Sequence, residues 1–163
     1  MSLFPYQSEI QKSAKDHSLD PLLVAAICFV ESSFQPESSR YEYRFADHYI
    51  TNNPKYCTLP EEIRVLLATS LGLLQIMGMV ANEMGLSVFD LKKLFEPETG
   101  LEYGCRYLKK LSGKYGSRGL EALIASYNAG SPRKGPKGNW VNYKYVNKVV
   151  KKYQEFKKLC PNS

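Results

Sequence analysis

The chain has 163 residues, of which 44% are hydrophobic and 23% charged, and its net charge is +6. This length is typical of one domain, residues 1–163, which can bury a core without disulfides or metals. The hydrophobic fraction excludes an intrinsically disordered chain, and no apolar stretch approaches the roughly 18 residues of a membrane-spanning helix.

Helical patterns follow one another along the chain, and no alternating strand pattern is evident. The first predicted helix covers residues 5–17. Asp20 and Pro21 then form a start signal for the longest apolar run, 22–30, which predicts a buried helix. A capping box at 58–61 predicts the next helix. Further helices are predicted at 79–84, 87–94, 97–111, 119–127 and 140–159, so the fold class is mainly α.

Two segments lack a helical pattern and are predicted to be loops: the aromatic and polar stretch 34–57, and the Gly/Pro/Lys-rich stretch 131–139. Long loops in compact domains often carry function. The four cysteines show neither a CxxC pair nor metal-ligand spacing, so no metal or cofactor is predicted. Cys28 and Cys105 lie on apolar helical faces and are expected to be buried thiols rather than disulfide partners.

Positive charge is concentrated at the end of the chain. Residues 133–163 contain nine basic residues and one acid, whereas the rest has a net charge of −2. This favours a polyanionic partner such as an anionic envelope surface, and the alternative is a solvated helix face. No motif for reading nucleic acid accompanies the charge, so nucleic acid is not predicted. Helical spacing places Lys144, Lys148, Lys151 and Lys152 on one face, and Tyr145, Val149 and Tyr153 on an adjoining face that should pack inward.

A single carboxylate directly follows the long apolar run. Glu31 stands in the last turn of that helix, where burial and the negative end of the helix dipole both disfavour the ionised form. Both effects are expected to raise its pKa, as a general acid working near neutral pH requires. The alternative is an ordinary solvated glutamate at a helix end.

Two other segments place polar side chains among apolar ones. Gln75 is the one polar side chain in the stretch 71–76, where its amide can donate to and accept from a ligand. The alternative is a helix start with one capped polar residue. Tyr127 and Asn128 stand side by side near the end of a helix that Gly130 is expected to stop.

Together these motifs resemble the soluble lytic transglycosylase family over residues 5–155. The resemblance rests, in chain order, on Glu31-Ser32, Gly72-Leu-Leu-Gln75-Ile-Met77, Tyr127-Asn128-Ala-Gly130 and Tyr145-Val146. Each motif is weak alone, and their order and spacing make the resemblance specific. It implies a single-domain lysozyme-like fold, shared with goose-type lysozymes, in which a catalytic cleft lies between helical lobes.

The resemblance also implies that the substrate is peptidoglycan, cut between N-acetylmuramic acid and N-acetylglucosamine. Glu31 would be the catalytic acid and base, Gln75 and Met77 would line the groove, and Tyr145 would help to hold Glu31. Tyr127 and Asn128 would face Glu31 across the cleft. The full set of implied substrate-binding residues is Ser32, Glu42, Ser70, Gln75, Met77, Tyr127, Asn128 and Tyr145.

The sequence departs from the family pattern in two places. Leu74 replaces the usual methionine, and the link from Ser32 to Gly72 is stretched to roughly 40 residues. The insertion contains Arg40-Tyr-Glu42, which resembles the bacteriophage-borne branch of the family. With no signal peptide evident at the start of the chain, this predicts a phage lysis or virion-associated enzyme. We expect it to be made in the host cytoplasm and to act on the cell wall as a monomer.

The implied mechanism needs one carboxylate. Glu31 protonates the glycosidic oxygen while the muramyl N-acetyl group, oriented by Asn128 and Gln75, attacks the anomeric carbon. Glu31 then takes the proton of the sugar's 6-hydroxyl, which closes a 1,6-anhydro ring. One alternative is goose-type-lysozyme hydrolysis, with Glu42 or Asp47 positioning a water. Another is a catalytically silent wall-binding module of a virion.

Overall fold

The computed structural model describes residues 2–160 and is mainly helical, as predicted. The α-helices are α1 (Gln7–Asp16), α2 (Pro21–Ser32), α3 (Tyr43–Phe45), α4 (Glu61–Leu67), α5 (Gly78–Glu83), α6 (Pro97–Tyr115), α7 (Leu120–Ala129) and α8 (Tyr143–Leu159). A π-helical turn covers Ala46–Ile50, and 3-10 helices cover Val88–Phe95 and Gly116–Arg118. Within residues 2–160, no helix is long and apolar enough to cross a membrane.

Three short strands form one antiparallel sheet in the order β1 (Ser39–Tyr41), β2 (Thr69–Leu71), β3 (Ile76–Met77). The prediction of a loop over 34–57 was therefore wrong in part, because this segment holds β1, α3 and the π-helical turn. The helix-start alternative for 71–76 was also wrong, since β2, a turn and β3 occupy it. Strands of two or three residues are too short to show an alternating pattern.

The chain divides into two compact units. The middle unit is Glu31–Gly104, and the terminal unit combines the chain up to Val30 with the chain from Cys105 onward. The middle unit contains the sheet with α3, α4 and α5, whereas the terminal unit contains α1, α7 and α8. The candidate site residues are thus divided between the two units.

Local signals predicted several helix ends correctly. The Asp20 carboxylate accepts a hydrogen bond from the Leu22 N–H at 2.8 Å, so the predicted start of α2 is confirmed. Gly130, at φ +74°, ends α7. The predicted buried face of α6 is confirmed, and it comprises Leu101, Gly104, Cys105, Leu108 and Leu111. Cys28 and Cys105 are both buried thiols.

The capping box at 58–61 was wrong, although the helix it announced exists. Helix α4 begins only after Pro60, with no side-chain cap. Capping by Thr58 would need Leu59 in a helical conformation, which the following proline disfavours, and Pro60 has no N–H to offer.

The last helix begins at Tyr143, later than predicted, and only part of its basic face is confirmed. Lys144, Lys148 and Lys151 are exposed. Lys152 is not on that outer face, because its ammonium lies 4.0 Å from the centre of the Phe29 ring and pairs with Glu155.

The adjoining face of α8 does pack inward. Val149 is fully buried, and Tyr145 and Tyr153 are half-buried. The Tyr153 hydroxyl donates to the Asp20 carboxylate. Burial, together with this bond, raises the pKa of Tyr153 to about 12. One aspartate therefore caps α2 and anchors α8.

Candidate active site

Glu31 is the penultimate residue of α2 and is half-buried. The helix ends abruptly after it, since Ser33 and Phe34 both adopt left-handed conformations with φ of +51° and +60°. Two such residues in succession are uncommon outside glycine. Phe34 is buried, which offsets the local strain. Glu31 therefore stands at the C-terminal end of a largely buried helix, as predicted.

Ser32 fastens the end of α2 to the turn between β2 and β3. Its buried hydroxyl donates to the Leu73 carbonyl at 2.8 Å. The residue after Glu31 is therefore tied to main chain some 41 positions further along. The hydroxyl proton is committed to this bond, which ties the residue next to Glu31 to the turn.

The turn between β2 and β3 depends on Gly72 and Gln75. Gly72 has φ +75°, and a Cβ there would lie 2.1 Å from the Leu94 carbonyl oxygen, so only glycine fits. Gln75 has φ +47°, and its Nε2 donates to the carbonyls of Ser38 at 2.8 Å and Gly72 at 3.0 Å. Two carbonyl oxygens can face only the NH2 end of an amide. The acceptor end of the Gln75 amide, Oε1, thus faces away from these two carbonyls.

Ser70 and Met77 face each other across β2 and β3. The Ser70 hydroxyl is buried and donates to the Met77 sulfur at 3.2 Å. Leu74, the departure from the family pattern, is fully buried. A Cβ built on Gly104 would lie 2.4 Å from the Leu74 Cδ1, so the two residues are in close contact. Leucine for methionine at a core position is a swap that conserves volume.

Glu42 and Asp47 are the two acids of the insertion of which the hydrolytic alternative requires one. Glu42 follows β1, and its N–H donates to the Ala68 carbonyl at 2.9 Å. Its carboxylate lies 2.6 Å from the Arg40 Nε, with the side chain 36% exposed. Asp47 is exposed on the π-helical turn. The negative charge of Glu42 is thus already compensated by Arg40.

The terminal unit carries the second group of predicted residues. Tyr127 is buried in α7, with its ring centre 5.6 Å from that of Tyr107, and Asn128 beside it is exposed. The Asn128 Oδ1 accepts a hydrogen bond from the Asn142 Nδ2 at 2.9 Å. The same nitrogen donates to the Ala125 carbonyl at 3.0 Å.

Sequence reasoning missed Asn142. It directly precedes α8, where an asparagine is a typical N-cap residue. That signal was overlooked because the helix was predicted to begin at Trp140. Within residues 2–160, no group of three or more His, Cys, Asp or Glu side chains is arranged to hold a metal ion.

Comparison with solved structures defines the class of fold. The chain resembles the X-ray structure of the lytic transglycosylase Slt from Pseudomonas aeruginosa, determined as an inactive glutamate-to-glutamine mutant. The TM-score is 0.66 at 15% identity, and the match covers 96% of this chain and 24% of that one. The predicted lysozyme-like helical fold is thereby confirmed.

The family follows from a second comparison. The family model described as the Transglycosylase SLT domain matches residues 8–152. The chain therefore belongs to this family, as the order of its motifs predicted.

Proposed function

We propose that this chain is a lytic transglycosylase that cleaves the β-1,4 bond between N-acetylmuramic acid and N-acetylglucosamine in peptidoglycan. The observation that carries the proposal is the placement of Glu31 at the end of a buried helix, held by the bond from Ser32 to Leu73. The similar Pseudomonas aeruginosa enzyme, inactive as a glutamate-to-glutamine mutant, supports one essential glutamate.

Glu31 acts first as an acid and then as a base. It protonates the glycosidic oxygen, and the muramyl acetamido oxygen attacks the anomeric carbon as that C–O bond breaks. Glu31 then accepts the proton of the 6-hydroxyl, whose oxygen displaces the acetamido oxygen and closes a 1,6-anhydro ring. The proton that Glu31 gave is returned, and no water is consumed.

The acetamido group needs one acceptor for its N–H and one donor for its carbonyl. Gln75 offers the acceptor, because its NH2 group is bound to main-chain carbonyls. Asn128 offers the donor, because its oxygen is bound to Asn142. Each of the two predicted ligand-binding amides thus has one defined end left for a ligand.

Hydrolysis would require a second carboxylate to position a water. The pairing of Glu42 with Arg40 and the exposure of Asp47 give this alternative less support.

The insertion supports a bacteriophage lysis or virion-associated role, through its resemblance to the phage-borne branch. The exposed Lys144, Lys148 and Lys151 would attract a monomeric enzyme to the anionic cell envelope, where the peptidoglycan lies.

Mass spectrometry of digested sacculi, run in heavy-oxygen water, tests the reaction. The proposal expects glycan products lighter by one water than hydrolysed ones, with no heavy oxygen at the new end. Glu31→Gln protein from the same preparation controls for contaminating enzymes. Heavy oxygen at a reducing end would show hydrolysis instead, and wall binding without any soluble product would show a silent binding module.

A further inference from the structure

We infer that Asn142 is a positioning residue, which fixes the direction in which the Asn128 carboxamide faces. The inference rests on the proposed function, in which Asn128 supplies a hydrogen-bond donor to the substrate. Asn142 itself need not touch the substrate. It acts through a chain of two hydrogen bonds that begins at main chain and ends at an exposed side chain.

The chain of bonds starts at the Ala125 carbonyl in α7. A main-chain carbonyl only accepts, so the group of Asn142 that faces it at 3.0 Å must be the NH2. The other hydrogen of that NH2 reaches Asn128, 2.9 Å away. The Asn128 atom that receives it must be the oxygen. The Asn128 NH2 group therefore points away from Asn142, on a residue that is exposed.

Capping does not explain Asn142. Its side chain makes no cap hydrogen bond to the first turn of α8, although it occupies the N-cap position. Its Oδ1 is buried and has no hydrogen-bond partner within residues 2–160. A buried acceptor left unpaired is unfavourable. Turning the amide around would be worse, since Oδ1 would then face the Ala125 carbonyl, which can only accept.

A fixed amide matters because an asparagine can present either end. Without the bond from Asn142, the Asn128 carboxamide could turn and present its oxygen to an acetamido carbonyl. Holding the donor outward removes that unproductive state before the substrate binds. Because the acetamido oxygen is the attacking atom in the proposed reaction, the benefit should appear in kcat.

Asn142→Asp tests the inference most directly. A carboxylate offers only acceptors, so Asn128 must turn its NH2 inward and present its oxygen outward. We expect kcat on a soluble peptidoglycan fragment to fall about tenfold or more. The thermal midpoint should fall as well, because a carboxylate oxygen then faces the Ala125 carbonyl, so kcat is measured well below the midpoint of the variant. Asn147→Asp makes the same change at an exposed position of α8 and should leave kcat unchanged.

A double-mutant cycle covers the case in which the aspartate variant fails to fold. Asn142→Ala should lower kcat in the parent, and it should cost nothing further when Asn128→Ala is already present. Additive losses would overturn the inference, as would an Asn142→Asp variant with parental kcat.

Failure of the proposed function is distinguishable from failure of this inference. If the parent cleaves no wall, the proposed function fails. The affinity for an N-acetylglucosamine oligomer is then compared by calorimetry for the same variants. The inference predicts weaker binding for Asn142→Asp than for Asn147→Asp, and equal affinities would overturn it.

Discussion

The two units use the polar side chains of the candidate site in opposite ways. In the middle unit, Ser32 and Gln75 direct their hydrogens to main-chain carbonyls, and so they tie separate backbone segments of that unit together. In the terminal unit, a main-chain carbonyl begins a relay of amides that ends at the exposed Asn128. These hydrogen bonds of the middle unit end at main-chain carbonyls, whereas those of the terminal unit end at an exposed side chain. Under the proposed function, the middle unit supplies Glu31 and the Gln75 acceptor, whereas the terminal unit supplies the Asn128 donor.

The largest expected effect is that of Glu31→Gln, which tests whether the middle unit supplies the proton. Glutamine keeps the shape but cannot transfer a proton, so wall cleavage should fall by a factor of about 10² to 10⁴ or more. Turbidity loss of purified sacculi measures the rate, and circular dichroism checks the fold. Glu37→Gln, at an exposed acid of the insertion, is the matched control. Residual activity within tenfold of the parent would remove Glu31 from the mechanism.

Ser32→Ala sharpens the comparison, because it breaks the bond that holds the end of α2. The buried Leu73 carbonyl would lose its donor, so the free energy of unfolding should fall by about 1–3 kcal/mol. The rate should fall too, since Glu31 is no longer fixed. Urea unfolding and kcat measure the two effects. Ser13→Ala is the control, because the Ser13 hydroxyl is buried with no partner within residues 2–160, and its removal should not destabilise the fold. A Ser32→Ala protein with parental kcat would show that the bond does not place Glu31.

Glu42→Gln asks whether the middle unit supplies a second working carboxylate. We expect the rate to fall only a few-fold, with unchanged anhydro products, because the pair with Arg40 is partly exposed and contributes little. Product analysis by mass spectrometry decides between the mechanisms. Selective loss of hydrolysed products in this variant would instead identify Glu42 as the residue that positions water.

Replacing Lys144, Lys148 and Lys151 together by glutamine tests whether the terminal unit guides the enzyme to its substrate. These exposed charges act through solvent, over a Debye length of about 8 Å at physiological ionic strength. Turnover on whole walls should fall as salt rises in the parent, and this dependence should flatten in the triple variant. Cleavage of a short neutral glycan should be unaffected by either change. If it is lost while the fold is intact, α8 takes part in the chemistry.

The smallest expected effect on activity is that of Tyr153→Phe, which removes the bond between α8 and Asp20. At pH 7 we expect the free energy of unfolding to fall by about 1 kcal/mol. The pKa of Tyr153 is raised to about 12 in the fold, so its contribution is complete below its unfolded value near 10 and is lost as the pH rises toward 12. Urea unfolding of parent and variant from pH 7 to 12 should therefore show curves that converge above pH 10. A constant difference would contradict the assignment.

Most of the fold could be predicted from the sequence because its helices have strong local signals. The cap at Asp20, the stop at Gly130 and the apolar face of α6 are all decided within a few residues. The sheet could not be predicted in this way. Strand β1 pairs with β2 across about 30 positions, as Arg40 does with Ser70, and strands of two or three residues carry no period.

Candidate site residues could be named from the sequence for a similar reason, and their roles stay predictions. Residue types and their order pointed to Glu31, Gln75 and Asn128. What the sequence could not supply was the direction of each amide, because this depends on carbonyls brought close by folding, such as that of Ser38 opposite Gln75. Asn142 was not predicted for the same reason, because its proposed role depends on which groups its NH2 contacts in the fold.

The contact between Gly104 and Leu74 has a consequence for how relatives of this chain can vary. Any side chain at 104 would occupy space that the Leu74 side chain now fills. No side chain larger than that of glycine therefore fits at position 104 while residue 74 is as large as leucine. A smaller residue at 74 would leave room for one. Among related sequences the two positions should vary together, with a larger residue at one accompanied by a smaller residue at the other. The identity of residue 74 would then be determined by its packing against residue 104 rather than by contact with the substrate.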